Sequence, residues 1–246
     1  MANVLIAPRV DLLNLKMDPF GAPISLHPTL CWDNEDVVLV DAGFPGQLKQ
    51  LREEVERAGF SLERLTRLIL THQDIDHIGG ASALLVLNDR IEVLAHEQER
   101  PYVAGEKRLA KISPERMEQL AERLTTPIDA FTNARARVDR TLADGERIPY
   151  CGGIVVIHTP GHTVGHISLY LEASRVLVAG DALNVVDGRL VGPNPRLTPE
   201  LDQATSSLKK LAPYDIETVV CYHGGLYSGD VNARIAELAG EATPGD

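Results

Sequence analysis

The sequence predicts a mixed α/β fold in which β-sheets carry helices on their outer faces. Short apolar runs of strand length recur in both halves of the 246 residues, and segments with helical spacing lie between them. Several of those runs stop at a histidine or an aspartate beside glycine, which ties the fold to a site. With 44% hydrophobic and 24% charged residues, the chain has the composition of an ordinary globular protein able to bury a substantial core.

Val4–Leu5–Ile6 and Leu12–Leu13–Asn14–Leu15 open the chain as a strand region. Val37 to Val40 is fully apolar and stops at Asp41–Ala42–Gly43, the pattern of a buried strand ending in a turn. Gly46 to Ala58 places Leu48, Leu51 and Val55 at helical spacing, with Gly59 as its stop. Leu68–Ile69–Leu70 is the next strand, followed by a helix over Gly79 to Leu87 and a strand over Ile91 to Ala95. From His96 to about Ala136 the charged residues cluster. Ser113–Pro114–Glu115 starts a helix there, with Met117, Leu120 and Leu124 on one face. Strand runs then return at Val138 to Leu142, Ile154 to Ile157, Ile167 to Leu171 and Val176 to Ala179. A helix over Pro199 to Leu211, a strand over Thr218 to Cys221 and a helix over Val231 to Ala239 complete the order. No repeat or linker divides the chain, so residues 1–246 read as one domain with a helical insertion at about 96–136.

The formal net charge of −11 disfavours a nucleic-acid partner, and no apolar run approaches the ~20 residues of a membrane helix. Cys31, Cys151 and Cys221 are few and form no CxxC pair. With no basic, apolar leader in residues 1–20, this leads us to expect a cytoplasmic protein without a disulfide framework. Val185 to Leu190 reads as an edge hairpin turning at Asp187–Gly188; such an edge is one route to a homodimer, but the oligomeric state is not written in the chain.

The chemistry is concentrated in His72–Gln73–Asp74–Ile75–Asp76–His77–Ile78–Gly79–Gly80. Imidazole and carboxylate are the usual ligands of zinc and other first-row divalent ions. Alternate residues of an extended segment point the same way, so His72, Asp74 and Asp76 are expected to aim at one point, with the glycines letting the backbone turn. Other apolar runs end similarly: Ile154 to Ile157 before His158–Thr159–Pro160–Gly161–His162, Val176 to Ala179 before Gly180–Asp181, and Thr218 to Cys221 before Tyr222–His223–Gly224–Gly225. If these ends meet, they line one metal-binding cleft.

This order of motifs resembles the metallo-β-lactamase superfamily over nearly the whole chain, from Asp41–Ala42–Gly43 to His223–Gly224–Gly225. The resemblance implies an αββα four-layer sandwich of the α+β class, with two mixed β-sheets face to face and helices on both outer faces. It implies two divalent metal ions, the first held by His72, Asp74 and His162, the second by Asp76, His77 and His223, with Asp181 bridging them. Asp74 stands where most members have histidine. An added carboxylate makes the site harder, so iron or manganese joins zinc as a candidate. The implied activity is hydrolysis of an ester, thioester, lactone or amide of a small molecule by metal-activated water, with Asp76 and Asp181 as catalytic residues. The alternative is an iron-dependent oxidoreductase on the same scaffold, like the persulfide dioxygenases or flavodiiron proteins.

Asp41 is implied to orient the metal loop, although a simple turn residue is an equal reading. His158 and His166 are expected to include a structural or supporting donor, His27 and His96 to be surface or packing residues, and Cys221 a buried apolar one. Three segments are candidates to set the substrate: 18–29, with Met17 and Phe20 as apolar contacts, 96–136 as a lid, and 185–196. Arg100, Lys107, Arg108 and Lys111 of the lid read as a solvated helix face, or else as partners of an anionic substrate. Glyoxalase II-like thioesterases share the motif order but usually continue further after the last histidine, so a glutathione thioester is not the expected substrate.

Overall fold

The structure, a computed structural model, describes residues 5–18 and 23–240. Val4 and Phe20 lie outside them. The first half runs β1 (Leu5–Ala7), β2 (Val10–Leu12), β3 (Leu15–Met17), β4 (Ile24–Leu26), β5 (Thr29–Trp32), β6 (Val37–Val40), α1 (Leu48–Arg57), β7 (Arg67–Leu70), α2 (Ile75–Ile78), α3 (Ala81–Leu87) and β8 (Glu92–His96). Three helices follow, α4 (Arg100–Val103), α5 (Pro114–Arg123) and α6 (Ile128–Thr132), before β9 (Arg140–Leu142). The second half runs β10 (Arg147–Ile148), β11 (Ile154–His158), β12 (Ile167–Leu171), β13 (Val176–Val178), β14 (Asn184–Val186), β15 (Arg189–Val191), α7 (Leu201–Ser207), β16 (Thr218–Cys221), β17 (Gly225–Tyr227) and α8 (Val231–Gly240).

Two mixed sheets stack face to face. The first has the order β1-β2-β5-β6-β7-β8-β9, parallel from β6 to β9; the second has the order β10-β11-β12-β13-β16-β17, with β13 and β16 parallel. The apolar runs have no polar alternation because both faces are covered. In β6, Val38 and Val40 point into the layer between the sheets, where they meet Val156, Leu169 and Val178. Val37 and Leu39 point the other way, into a core with Leu51 and Val55 of α1, Leu84 of α3 and Phe131 of α6. On the far face of the second sheet, Leu177 and Val219 pack against Val231, Ile235 and Leu238 of α8. Helices therefore cover both outer faces, and the αββα expectation holds.

Local signals account for several boundaries. Ser113 caps α5 by accepting from Arg116 N at 3.3 Å, with Pro114 in its first turn. β14 and β15 pair Val186 with Arg189 across Asp187 and Gly188, both at positive φ, the expected two-residue hairpin turn. Among the described residues no helix is long and apolar enough to cross a membrane.

Candidate metal centre at the strand ends

β6 and β7 of one sheet, and β11, β13 and β16 of the other, all end at the same edge of the sandwich. The residues just past those ends are Asp41, His72, His162, Asp181 and His223, and the structure brings all seven sequence-predicted donors together. Two groups form, His72–Asp74–His162–Asp181 and Asp76–His77–His223, each with donor atoms within 4.8 Å of one another. Asp181 connects them. Its carboxylate lies 3.2 Å from His162 Nε2, 3.3 Å from His77 Nε2 and 3.5 Å from His223 Nε2. Asp74 Oδ2 lies 3.4 Å from His72 Nε2 and 3.1 Å from His162 Nε2, and Asp76 Oδ2 lies 3.2 Å from His223 Nε2.

The expected alternation of His72, Asp74 and Asp76 is only partly met. The backbone is extended as far as Asp74 and then enters α2. His72 and Asp74 therefore share a direction, while Asp76 and His77 leave from a helical turn and reach the second group. The glycine pair is also not there for φ freedom, since Gly79 and Gly80 have ordinary helical dihedrals. They permit close approach: a Cβ on Gly80 would sit 2.2 Å from Ala42 O, and one on Gly79 2.2 Å from Pro45 Cδ. Gly161 does need its freedom, at φ +127°, and a Cβ there would meet Ala204 N at 2.2 Å.

Hydrogen bonds fix which imidazole nitrogens face the centre. Asp41 accepts from Thr71 N at 2.9 Å and from Thr71 Oγ1 at 2.8 Å, and its Oδ2 is 2.8 Å from His77 Nδ1. With its one proton on Asp41, Thr71 Oγ1 accepts from His72 Nδ1 at 3.0 Å. Both rings then carry their proton on Nδ1 and aim a bare Nε2 inward. Thr198 Oγ1 lies 3.1 Å from His162 Nδ1 in the same supporting position. Asp41 is thus an orienting residue rather than a mere turn residue. An Asp41→Ala protein should bind divalent ions about 10- to 100-fold more weakly, measured by competition with a chelator; unchanged affinity would remove Asp41 from the site.

His166 is the supporting histidine among the two expected. Its Nε2 accepts from Asp181 N at 2.9 Å, and its Nδ1 lies 2.8 Å from Thr159 Oγ1. His158 instead stacks on His96, with ring centroids 4.2 Å apart. His27 is half-buried with Nδ1 3.1 Å from Leu13 O, and Cys221 is buried in the outer core of the second sheet.

Four contributors were not legible as site residues. Buried Glu99 accepts from Gln73 N at 2.9 Å and from Gly165 N at 2.7 Å, clamping together the loops after β7 and β11. Tyr222 stacks on His77 at 3.8 Å, and its hydroxyl donates to Asp76 O at 2.5 Å. Thr198 belongs to the loop before α7. Lys111, read as part of a solvated helix face or else as a partner of an anionic substrate, contacts Asp74 and is only 18% exposed. Arg100 and Lys107 of that segment stay outside: Arg100 pairs with Glu106 at 2.9 Å, and Lys107 lies over the Tyr102 ring. For Tyr222 the only sequence signal was its place beside His223, and Lys111 was singled out only toward a substrate; Glu99 and Thr198 carried no signal.

The centre is built to hold positive charge. Burial opposes ionisation of Asp181, but His223, His77 and His162 outweigh it and hold its carboxyl well below the usual range. Burial likewise opposes charge on His223, yet Asp181 and Asp76 raise its imidazole to about 10. His72, buried and beside His77, is pushed down to about 4. His72 Nε2, His77 Nε2 and Asp181 Oδ1 are buried without a hydrogen-bond partner, and such orphaned atoms call for a ligand. Inward lone pairs, ionised carboxylates and orphaned buried donors together fit divalent ions at both groups.

A cleft of about 690 Å³ opens over the groups. Asp74, Asp76, Asp181 and His223 line its floor. Ile24, Phe44, Leu109, Ile112, Leu120 and Leu197 line its apolar walls, and Arg116 and Arg196 add positive charge. All three candidate loop segments contribute. Met17 does not: it packs against the helix-side core.

A family model for the metallo-β-lactamase superfamily matches residues 27–223. The chain is 31% identical over 214 residues to a probable metallo-hydrolase, YflN, of Bacillus subtilis (strain 168), covering 82% of this chain and 81% of that one. It is 29% identical over 206 residues to a hydroxyacylglutathione hydrolase of Ruegeria pomeroyi, covering 83% of this chain but only 62% of the relative's length. Among solved structures, a metallo-β-lactamase family protein from Thermus thermophilus superposes with a TM-score of 0.70 at 26% identity, over 96% of this chain and 80% of that one.

Proposed function

The chain belongs to the metallo-β-lactamase superfamily of metallo-hydrolases, and we propose that it hydrolyses an ester, thioester or lactone bond of a small acyl compound at a two-ion centre. The observation that carries this reading is the contact of the Asp181 carboxylate with imidazoles of both donor groups on the floor of an apolar-walled cleft. His72, Asp74 and His162 would hold one ion, Asp76, His77 and His223 the other, and Asp181 both. Two such ions supply an acidified water and an electrophile for a carbonyl oxygen.

The chain's own residues do the rest. Asp41, Thr71 and Thr198 hold three imidazoles in the donor tautomer. Asp76, partly exposed to the cleft, offers Oδ2 as the acceptor for the attacking water's proton. The apolar walls exclude bulk water from one side of the acyl carbon and favour an apolar acyl group. Esters, thioesters and lactones rank ahead of amides because an amine leaving group needs a proton delivered to it. The resemblance to a hydroxyacylglutathione hydrolase supports the thioester branch.

The test combines elemental analysis with a panel of thioesters, lactones and aryl esters, on wild type and His72→Ala. We expect about two equivalents of divalent metal and turnover of at least one class, both reduced in the variant. Iron with oxygen consumption on a thiol substrate would overturn the hydrolase reading in favour of a redox one. Failure to take up zinc, manganese or iron would overturn the metal centre itself.

A further inference from the structure

Lys111 lies on the segment between α4 and α5, outside every motif, yet its side chain is driven into the site. The segment is gripped from two sides. Ala110 N donates to the buried Gln73 side chain at 2.7 Å, and Lys111 Nζ donates to Leu197 O at 3.2 Å. The remaining contacts of the ammonium are the Asp74 carboxylate and His162 Nε2, the latter at 2.5 Å. An ammonium has three N–H donors and no acceptor. Leu197 O and Asp74 take two of them, and His162 Nε2 is itself a donor atom of the first group, so the ionic contact compatible with a bound ion is the one with Asp74.

We propose that Lys111 is the counter-ion of Asp74, and that the pair gives the first donor group an oxygen ligand without adding net negative charge to it. The inference rests on the metal-centre reading above. The group contains two carboxylates, Asp74 and Asp181. With Lys111 in contact, their net charge falls from minus two to minus one. In a partly buried site a unit charge at contact distance changes cation affinity strongly. Lys111 therefore sets how tightly this group holds a divalent ion, while the Asp76–His77–His223 group is left to its own ligands. Lys111 acts through Asp74 and is a positioning residue.

The test is calorimetric titration of metal-free protein with Mn²⁺ and with Zn²⁺, using His162→Ala to identify the binding step of the first group. Lys111→Met should tighten that step by about tenfold or more and leave the other step within about threefold. Lys111→Arg, which keeps the charge, should stay near wild type, and Lys111→Gln serves if the Met variant does not fold. Asp74→His should weaken the step in the wild-type background, where Lys111 loses its anion, but have little effect alongside Lys111→Met. Lys111→Met within about twofold of wild type, or the same Asp74→His effect in both backgrounds, would overturn the pairing alone. A wild-type protein that takes up neither ion would overturn the metal-centre reading, and this inference with it.

Discussion

An Asp181→Ala protein should fold normally yet retain less than one equivalent of metal and lose on the order of 10³-fold or more in kcat/KM. The expectation follows from position. Of the three donor carboxylates, Asp181 alone lies within 4 Å of imidazoles from both groups: His162 at 3.2 Å, His77 at 3.3 Å and His223 at 3.5 Å. Removing a ligand that belongs to one group would be expected to spare the other; removing Asp181 should not. Its backbone is held independently, through Asp181 N on His166, so the loop after β13 should survive the change. Metal content, circular dichroism and turnover on one preparation decide the matter. A variant with both ions in place would deny Asp181 its shared role, whatever its activity.

Gly80→Ala should destabilise the protein by about 3 kcal/mol, a fall in Tm of about 10 °C. The strands bring two backbones into contact here. Gly80 N donates to Gly43 O at 3.0 Å, and Ala42 N donates to His77 O at 2.7 Å. A Cβ on Gly80 would lie 2.2 Å from Ala42 O, and no side-chain rotation relieves a clash with backbone. Either the loop after β6 or the turn carrying His77 must move, and the 2.8 Å contact between Asp41 and His77 spans the two. The variant should therefore also lose metal from the second group. Gly192→Ala is the control, because a Cβ there meets nothing within 4 Å. Equal melting temperatures for the two variants would show that the loops yield without strain.

Much of this protein was legible in its residues. Strand runs such as Val37–Val40 and Ile167–Leu171 match the observed elements residue for residue. A run buried on both faces has no choice of face, and its ends are set by the polar and glycine residues around it. The seven donors were legible because imidazole and carboxylate beside glycine, at the ends of apolar runs, have few other uses at that density. Short strands such as Arg147–Ile148 and Gly225–Tyr227 were not legible, since they exist only through pairing with a neighbour.

The sequence by itself determined that sheets carry helices on their outer faces and that histidines and aspartates gather at the ends of apolar runs, because periodicity and residue type are local; the αββα layer order and the assignment of those residues to two ions came from the family resemblance. Tertiary structure alone decided the rest. It turned Asp76 away from Asp74 and made the glycine pair a matter of approach rather than of dihedral freedom. It also drew Glu99 and Lys111, remote in the chain and set in ordinary sequence surroundings, into the centre. Which side chain meets which across 25 or more positions is set by how two sheets stack and where their strands end, and no local pattern carries that distance.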